Sequence, residues 1–139
     1  MSDGSRAIPV SREGIVRDAT VSWRLDESYS WVVKLRCPGF GVAEARADDA
    51  FEALCMVREQ LEPFGWRIGV AGAQADVWPS GMARDQGGGL RAYRMSSEQV
   101  GDLVDTFEPV DPATVTTVAR QRAEADRLYD EIRRRNQTA

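Results

Sequence analysis

The residues that could do chemistry are concentrated in one stretch of sixteen residues, 74–89, which reads QADVWPSGMARDQGGG. The stretch combines carboxylates, a hydroxyl, a guanidinium, an indole and a run of glycines. A connection of this length between two strand-like runs is unusual in a compact domain unless it binds something or folds on itself. The candidate ligand- or partner-binding residues are Asp76, Trp78, Ser80, Arg84, Asp85, Gly87, Gly88 and Gly89.

Two kinds of anion binding fit this stretch. The N–H groups of consecutive glycines can form an anion-binding nest, and a helical turn opened by Ser80 could hold an anion or a partner's carboxylate together with Arg84. The glycines lead into a strand and no lysine is near, so they match neither a P-loop nor a dinucleotide fingerprint. The structural alternative is that Arg84 pairs with Asp76 or Asp85 and pins the loop, while Trp78 and Met82 anchor it to the core.

Histidine is absent from the chain. This excludes Ser-His-Asp and Cys-His catalysis and Cys/His zinc sites, and Ser80 without a histidine base is a poor nucleophile. The two cysteines, Cys37 and Cys55, fit no CxxC spacing and are expected to be buried thiols. We therefore predict no catalytic residue, no metal and no cofactor.

Acidic residues dominate the charge pattern. The formal net charge is -4, which argues against a nucleic-acid partner. Residues 96–111 contain acids and no basic residue, and Asp102, Asp105 and Glu108 are the candidate surface for a basic partner protein. The alternative is that these acids only keep the protein soluble. No run approaches a membrane span and the N-terminus lacks an apolar signal segment, so a cytoplasmic protein is expected.

The periodicity predicts the elements that position these residues. Period-2 alternation over 14–25 and 29–37 predicts an antiparallel hairpin, and 66–73, 90–95 and 102–107 are three further strand candidates. For 97–107 a helix opened by Ser96 or Ser97 is the rival. Asp49 and Glu52 have the form of a capping box opening a helix that buries Phe51, Leu54, Cys55 and Leu61.

The resulting order, β-β-α-β-loop-β-β-α, predicts an α+β fold: an antiparallel sheet of four to five strands with two helices on one face. We expect a flexible N-terminal tail over 1–12, one α+β domain over 13–135 and a loose C-terminus over 136–139. Asp111 and Pro112 open the last helix, 112–135. Its apolar stripe either packs on the sheet or joins two copies in a homodimer.

One resemblance bears on function. Trp66-Arg67-Ile68, Gly72-Ala73, the run D-V-W-P-S-G-M-A-R over 76–84, the three glycines and Tyr93 resemble a box shared by small uncharacterised bacterial proteins associated with toxin and immunity gene neighbourhoods. The resemblance covers about the middle third of the chain and, weakly, the last helix. It implies a folded accessory or immunity-like protein, and it gives no residue a role.

The function we predict is a noncatalytic protein-binding module, an immunity protein that neutralises a cognate toxin by covering its active site. A basic toxin is the natural partner of an acidic inhibitor. The alternative is a small-ligand or anion-binding protein, or an enzyme, with its site in the 76–89 loop.

Overall fold

The computed structural model describes residues 3–96 and 98–138 and has two antiparallel sheets. The larger sheet has the order β4-β3-β2-β1-β5 and comprises β1 (Gly4–Arg12), β2 (Ile15–Leu25), β3 (Trp31–Cys37), β4 (Gly41–Ala47) and β5 (Trp66–Ile68). The smaller sheet has the order β6-β7-β8 and comprises β6 (Val77–Trp78), β7 (Arg91–Met95) and β8 (Val100–Asp105). The helices are α1 (Ala50–Leu61), α2 (Gly81–Asp85) and α3 (Val118–Thr138). The α+β class with antiparallel pairing is confirmed.

Residues 4–12 form a strand in place of the flexible tail predicted over 1–12. This strand, β1, pairs with β2 on one side and β5 on the other. Ile8 and Val10 are buried at 2% and 0% exposure and face the core. The pairing with two neighbours and the burial of two apolar side chains hold this segment in place. At the other end, α3 continues through residues 136–138, where a loose terminus was predicted.

Strand β4 lies between the hairpin and α1, where the periodicity predicts no strand. Its core-facing residues, Ala43 and Ala45, are small, so its period-2 hydrophobic signal is weak. The register Lys34↔Glu44 and Leu35↔Ala43 adds β4 to the outside of β3. Together with β3, it forms a continuous antiparallel surface on which α1 packs.

The sheet divides in two after β5. Gly69 follows this strand, and a Cβ there would lie 2.5 Å from the carbonyl oxygens of both Pro9 and Val110. The backbone at Gly69 therefore lies between two neighbouring backbone segments that leave no room for a side chain. The chain then forms a 3-10 turn, Ala71–Ala73. The next strands pair with each other and form the smaller sheet. Residues 100–105 are a strand and not the rival helix; Ser97, one of its two proposed starts, lies outside the described residues.

The helices begin for local reasons that the sequence partly indicates. Asp49 caps α1, because its Oδ1 accepts from Glu52 N at 2.8 Å, and the predicted stripe of Phe51, Leu54, Cys55 and Leu61 is buried. Asp111 caps a 3-10 turn, Pro112–Thr114, instead of the long helix. Helix α3 begins only at Val118, whose N–H donates to Glu62 Oε1 at 3.0 Å. Among the described residues, no helix combines the length and apolarity needed to cross a bilayer.

Candidate functional site

The 74–89 loop folds on itself and against the start of α1. It contributes β6 to the smaller sheet, and Ser80 then caps α2 by accepting from Ala83 N at 3.0 Å. The predicted helical turn at Ser80 is thereby confirmed. Pro79 is buried and Trp78 is half-buried, with its ring 5.2 Å from that of Phe51 in an edge-on contact. Pairing in the smaller sheet and the contact of Trp78 with Phe51 therefore hold the loop in a defined conformation.

Arg84 is the side chain that ties the loop to α1. Its Nη1 lies 3.0 Å from Asp49 Oδ2 and 3.2 Å from Asp49 Oδ1. The guanidinium stands 5.4 Å from the ring centroids of Phe51 and Trp78, so the cation contacts two aromatic rings. Arg84 therefore pairs within the chain, as the structural alternative held, but with the cap of α1 instead of Asp76 or Asp85.

Gly88 and Gly89 pack closely against Trp31 of β3 and against the start of α1. A Cβ on Gly88 would lie 2.5 Å from the Trp31 ring, and a Cβ on Gly89 would lie 2.6 Å from Asp49 Oδ1 and 2.7 Å from Phe51 N. Both residues have positive φ, 66° and 72°. Ala50 N donates to Gly88 O at 2.7 Å, so the glycine run supplies a capping carbonyl to α1. Only glycine fits at these two positions.

The glycine N–H groups are largely committed within the loop. Gly87 N and Gly89 N both donate to Ala83 O, at 3.1 and 3.0 Å. An anion-binding nest needs neighbouring N–H groups that converge on empty space. Since two of the three donors bond to one carbonyl, the run serves as a turn that closes α2.

Three further loop residues have different surroundings. Asp76 pairs with Arg94, whose Nη1 lies 2.9 Å from Asp76 Oδ1, and Arg94 also donates to Gln74 Oε1 at 2.7 Å. Asp85 is exposed. Met82 is 68% exposed, so its prediction as a core anchor is wrong. It lies in α2, a helix of one turn whose contact with the core is made by Arg84 instead.

A buried polar network holds α3, and the sequence did not predict it. Arg58 is fully buried and donates to Gln121 Oε1 at 2.5 Å and to Thr116 O at 2.8 Å. Its Nε forms an ion pair with Glu62 Oε2 at 3.2 Å. Gln121 in turn donates to the carbonyls of Gly72 and Val77 at 2.7 and 2.8 Å. Arg58 and Gln121 each occupy a position on the apolar stripe of their helix. A polar residue at such a position is the sequence feature that could have indicated a buried polar network.

The titration behaviour near this network follows from burial. Burial lowers the pKa of Arg58, while Cys55 and Glu62 oppose that shift. Burial raises the pKa of the Cys55 thiol to about 11, with Arg58 acting in the opposite direction. Cys37 and Cys55 are both free and buried, as predicted. A thiol with this pKa is almost wholly protonated near neutral pH and is unsuited to nucleophilic chemistry.

Aromatic side chains lie on the loop and on its neighbouring elements. Tyr93 stands opposite Trp78 in the ladder between β6 and β7. On α3, burial raises the pKa of the Tyr129 phenol, while Arg84 lowers this pKa and Tyr93 raises it. Trp78, Tyr93 and Tyr129 are each half-buried. Half-exposed aromatic side chains around an arginine are typical of protein-binding surfaces.

The predicted acidic residues lie on and after β8. Asp102 is exposed, and Asp105 and Glu108 flank Arg6, whose Nη1 is 3.6 Å from Asp105 Oδ2 and 3.5 Å from Glu108 Oε2. Val100 and Leu103, on the same strand, are 41% and 49% exposed. We define the β8 surface as this combination of acidic and apolar side chains: Glu98, Val100, Asp102, Leu103, Asp105 and Glu108.

A hollow of about 580 Å³ lies elsewhere, on the outer face of the larger sheet. Its lining includes Ala7, Thr20, Arg36 and Val42, which form one cross-strand row, and it contains no residue of the 74–89 loop. Within residues 3–96 and 98–138, no group of three or more Cys, Asp or Glu side chains is arranged to hold a metal ion.

No family model matches the chain, and no curated protein has significant sequence similarity to it. The resemblance of the 66–93 segment to small proteins of toxin and immunity neighbourhoods therefore stays a prediction.

Proposed function

We propose that this protein is a noncatalytic protein-binding module, and more specifically an immunity protein that neutralises a basic toxin. The observation that carries the proposal is the β8 surface, where exposed acids adjoin exposed apolar side chains. Among the described residues, neither Glu98 nor Asp102 lies within ion-pair distance of an arginine or lysine. Unpaired carboxylates can steer a basic partner towards this surface, and the adjoining apolar side chains can be buried when the partner binds.

The surroundings of the 76–89 loop support the same proposal. Its arginine is held by Asp49 and two of its glycine N–H groups bond to Ala83 O. A loop with these internal bonds is suited to a fixed shape and not to anion capture. The alternative, a small-ligand protein or an enzyme with its site in this loop, would have to displace Arg84 from Asp49, a residue that is 6% exposed.

The homodimer through α3 has less support than partner binding. The helix buries Val118, Ala125 and Leu128 at 1%, 3% and 4% exposure within its own chain. Most of the stripe is thus covered by α1 and β6. A second copy would meet the opposite, charged face. A cytoplasmic location belongs to the same proposal, since an immunity protein of this kind meets its toxin inside the cell.

The test is association with the protein encoded by the adjacent gene. Asp102→Asn should slow association several-fold at low salt and flatten its salt dependence, because it removes a steering charge without disturbing a described ion pair. Asp102 is the best position for this test. Asp105 and Glu108 lie beside Arg6, and Asp105 also accepts from Phe107 N at 3.0 Å.

The control is Glu13→Gln, which makes the same change in net charge. Glu13 is exposed in the turn after β1, at the opposite end of that strand from Arg6. It should leave the association rate nearly unchanged. Equal effects of the two variants, or no binding of the neighbouring gene product, would contradict the proposal.

A further inference from the structure

We propose that β8 binds its partner as an added strand, and that the partner contributes an extended segment with basic residues flanking two apolar ones. This recognition mode rests on the proposed function and specifies how the β8 surface is used. Three features support it: the free edge of the smaller sheet, the side chains along that edge and their charges.

Strand β8 is an edge whose outer side is open. In the described part of the chain it pairs with β7 and with no other strand. Thr106 N donates to Leu90 O at 3.0 Å, in register with the Arg91↔Asp105 pair. Hydrogen-bonded pairs alternate along an antiparallel ladder, so Ala92↔Val104 is the next bonded pair and the N–H and C=O of Leu103 point away from β7. They are positioned to pair with an incoming strand.

The edge that β4 forms on the larger sheet differs. Gln60 Nε2 donates to Glu44 O at 3.0 Å, so a side chain occupies one outward carbonyl of β4. Helix α1 also packs along that strand. Within residues 3–96 and 98–138, no hydrogen bond comparable to that of Gln60 is made to the outer edge of β8 between Val100 and Val104. The nearest such bond runs from Glu108 N to Asp105 O, at the end of the strand.

The side chains define what an added strand should carry. Trp78, Tyr93 and Leu103 are cross-strand partners in one row, and Leu103 is the exposed end of this row. An apolar residue opposite Leu103 would extend it, and a second would meet half-buried Val104. Asp102 and Asp105 bracket these two positions. Directly opposite partners should therefore read basic, apolar, apolar, basic.

The charges also argue against a second copy of this chain. Pairing two β8 strands edge to edge with Leu103 opposite Leu103 would place the Asp102 carboxylates of both copies on one face of the sheet as diagonal neighbours. Like charges on adjacent strands are destabilising. A heterologous basic segment instead brings cations to Asp102, which has no ion pair among the described residues, and to Asp105, which shares Arg6 with Glu108.

The test uses a synthetic peptide, Thr-Arg-Val-Val-Arg-Thr with blocked ends, titrated into the full-length protein labelled with nitrogen-15. We expect a Kd below about 1 mM, shifts centred on the amides of residues 100–104, and slower exchange of the Leu103 amide. A matched peptide with glutamate in place of arginine should not bind. If the arginine peptide binds without slowing exchange of the Leu103 amide, or does not bind, the proposal is overturned.

Two modifications separate strand addition from charge attraction alone. N-methylation of the peptide amides that face β8 keeps every charge but removes donors, and it should weaken binding about tenfold or more. Leu103→Pro removes the outward donor of β8 and should have the same effect, whereas Val42→Pro on the edge of β4 should not. Equal affinity of the methylated peptide would contradict strand addition even if Leu103→Pro failed to fold.

These outcomes are independent of the toxin experiment. Slower association of Asp102→Asn with the neighbouring gene product, together with full binding of an N-methylated peptide, would retain the β8 surface and reject the added strand. Peptide binding without any neighbouring-gene complex would retain the added strand and reject the immunity function.

Discussion

Arg84 is a residue that could bind an anion but instead forms an ion pair within the chain. The sequence places it three residues before the glycine run, next to Asp85 and within reach of Asp76, and these neighbours suggest local pairing. In the structure it pairs instead with Asp49, 35 positions away in the chain. That carboxylate caps α1 and is almost fully buried, so the guanidinium both neutralises it and covers Phe51.

Removing the Arg84 guanidinium should therefore lower the free energy of unfolding more than removing the guanidinium of an exposed ion pair. Arg84→Ala leaves a buried carboxylate with only its bond from Glu52 N, and we expect a loss of about 2 kcal/mol in the free energy of unfolding. Arg94→Ala breaks a pair whose side chains are 42% and 41% exposed, and should cost less than about 1 kcal/mol. Urea denaturation measures both. A smaller loss for Arg84→Ala than for Arg94→Ala would contradict this role.

At the scale of elements, the glycine turn joins α2 to β7 and closes over the start of α1. Gly89→Ala combines a positive φ with contacts of 2.6 and 2.7 Å, and we expect it to lower the free energy of unfolding by about 3 kcal/mol. The cost should come from both strain and collision, because the atoms that the new Cβ would meet include the backbone of Phe51.

Alanine substitutions at two other glycines separate the effect of backbone strain from the effect of a Cβ collision. Gly14 has φ of 79°, but a Cβ at this position would meet nothing within 4 Å, so Gly14→Ala should cost only the strain of about 1 kcal/mol. Gly81 has neither a positive φ nor a close neighbour, and Gly81→Ala should be neutral or slightly stabilising. Thermal or urea denaturation should rank the three variants in this order. A Gly89→Ala protein as stable as Gly14→Ala would mean that the turn does not pack on α1.

The elements that could be predicted from the sequence are those with strong periodicity. The β2–β3 hairpin and the α1 stripe follow from alternation and from the Asp49 cap, both of which are local. Strand β1 was missed because its buried pair, Ile8 and Val10, is too short to distinguish from a tail, and β4 because alanine gives little contrast. The partners of Arg58 and Arg84 depend on contacts between distant parts of the chain, which periodicity cannot supply.

At the scale of the whole molecule, charge is separated between two surfaces. The outer face of the larger sheet carries Arg24, Lys34, Arg36 and Arg46 against Asp18 and Glu44, since these residues alternate with the buried ones, and Arg46 is paired with Asp26 after β2, so the positive excess is small. The β8 surface carries acids. A basic partner is therefore attracted to one side and repelled from another, which favours a single docking orientation.

Amide hydrogen exchange on the complex with the neighbouring gene product tests the role of the β8 surface most directly. We predict that binding slows exchange across residues 100–104, with Leu103 most affected, while the amides of 76–89 exchange as they do in the free protein. Slowed exchange confined to 76–89, with β8 unchanged, would contradict this role and place the site in the loop.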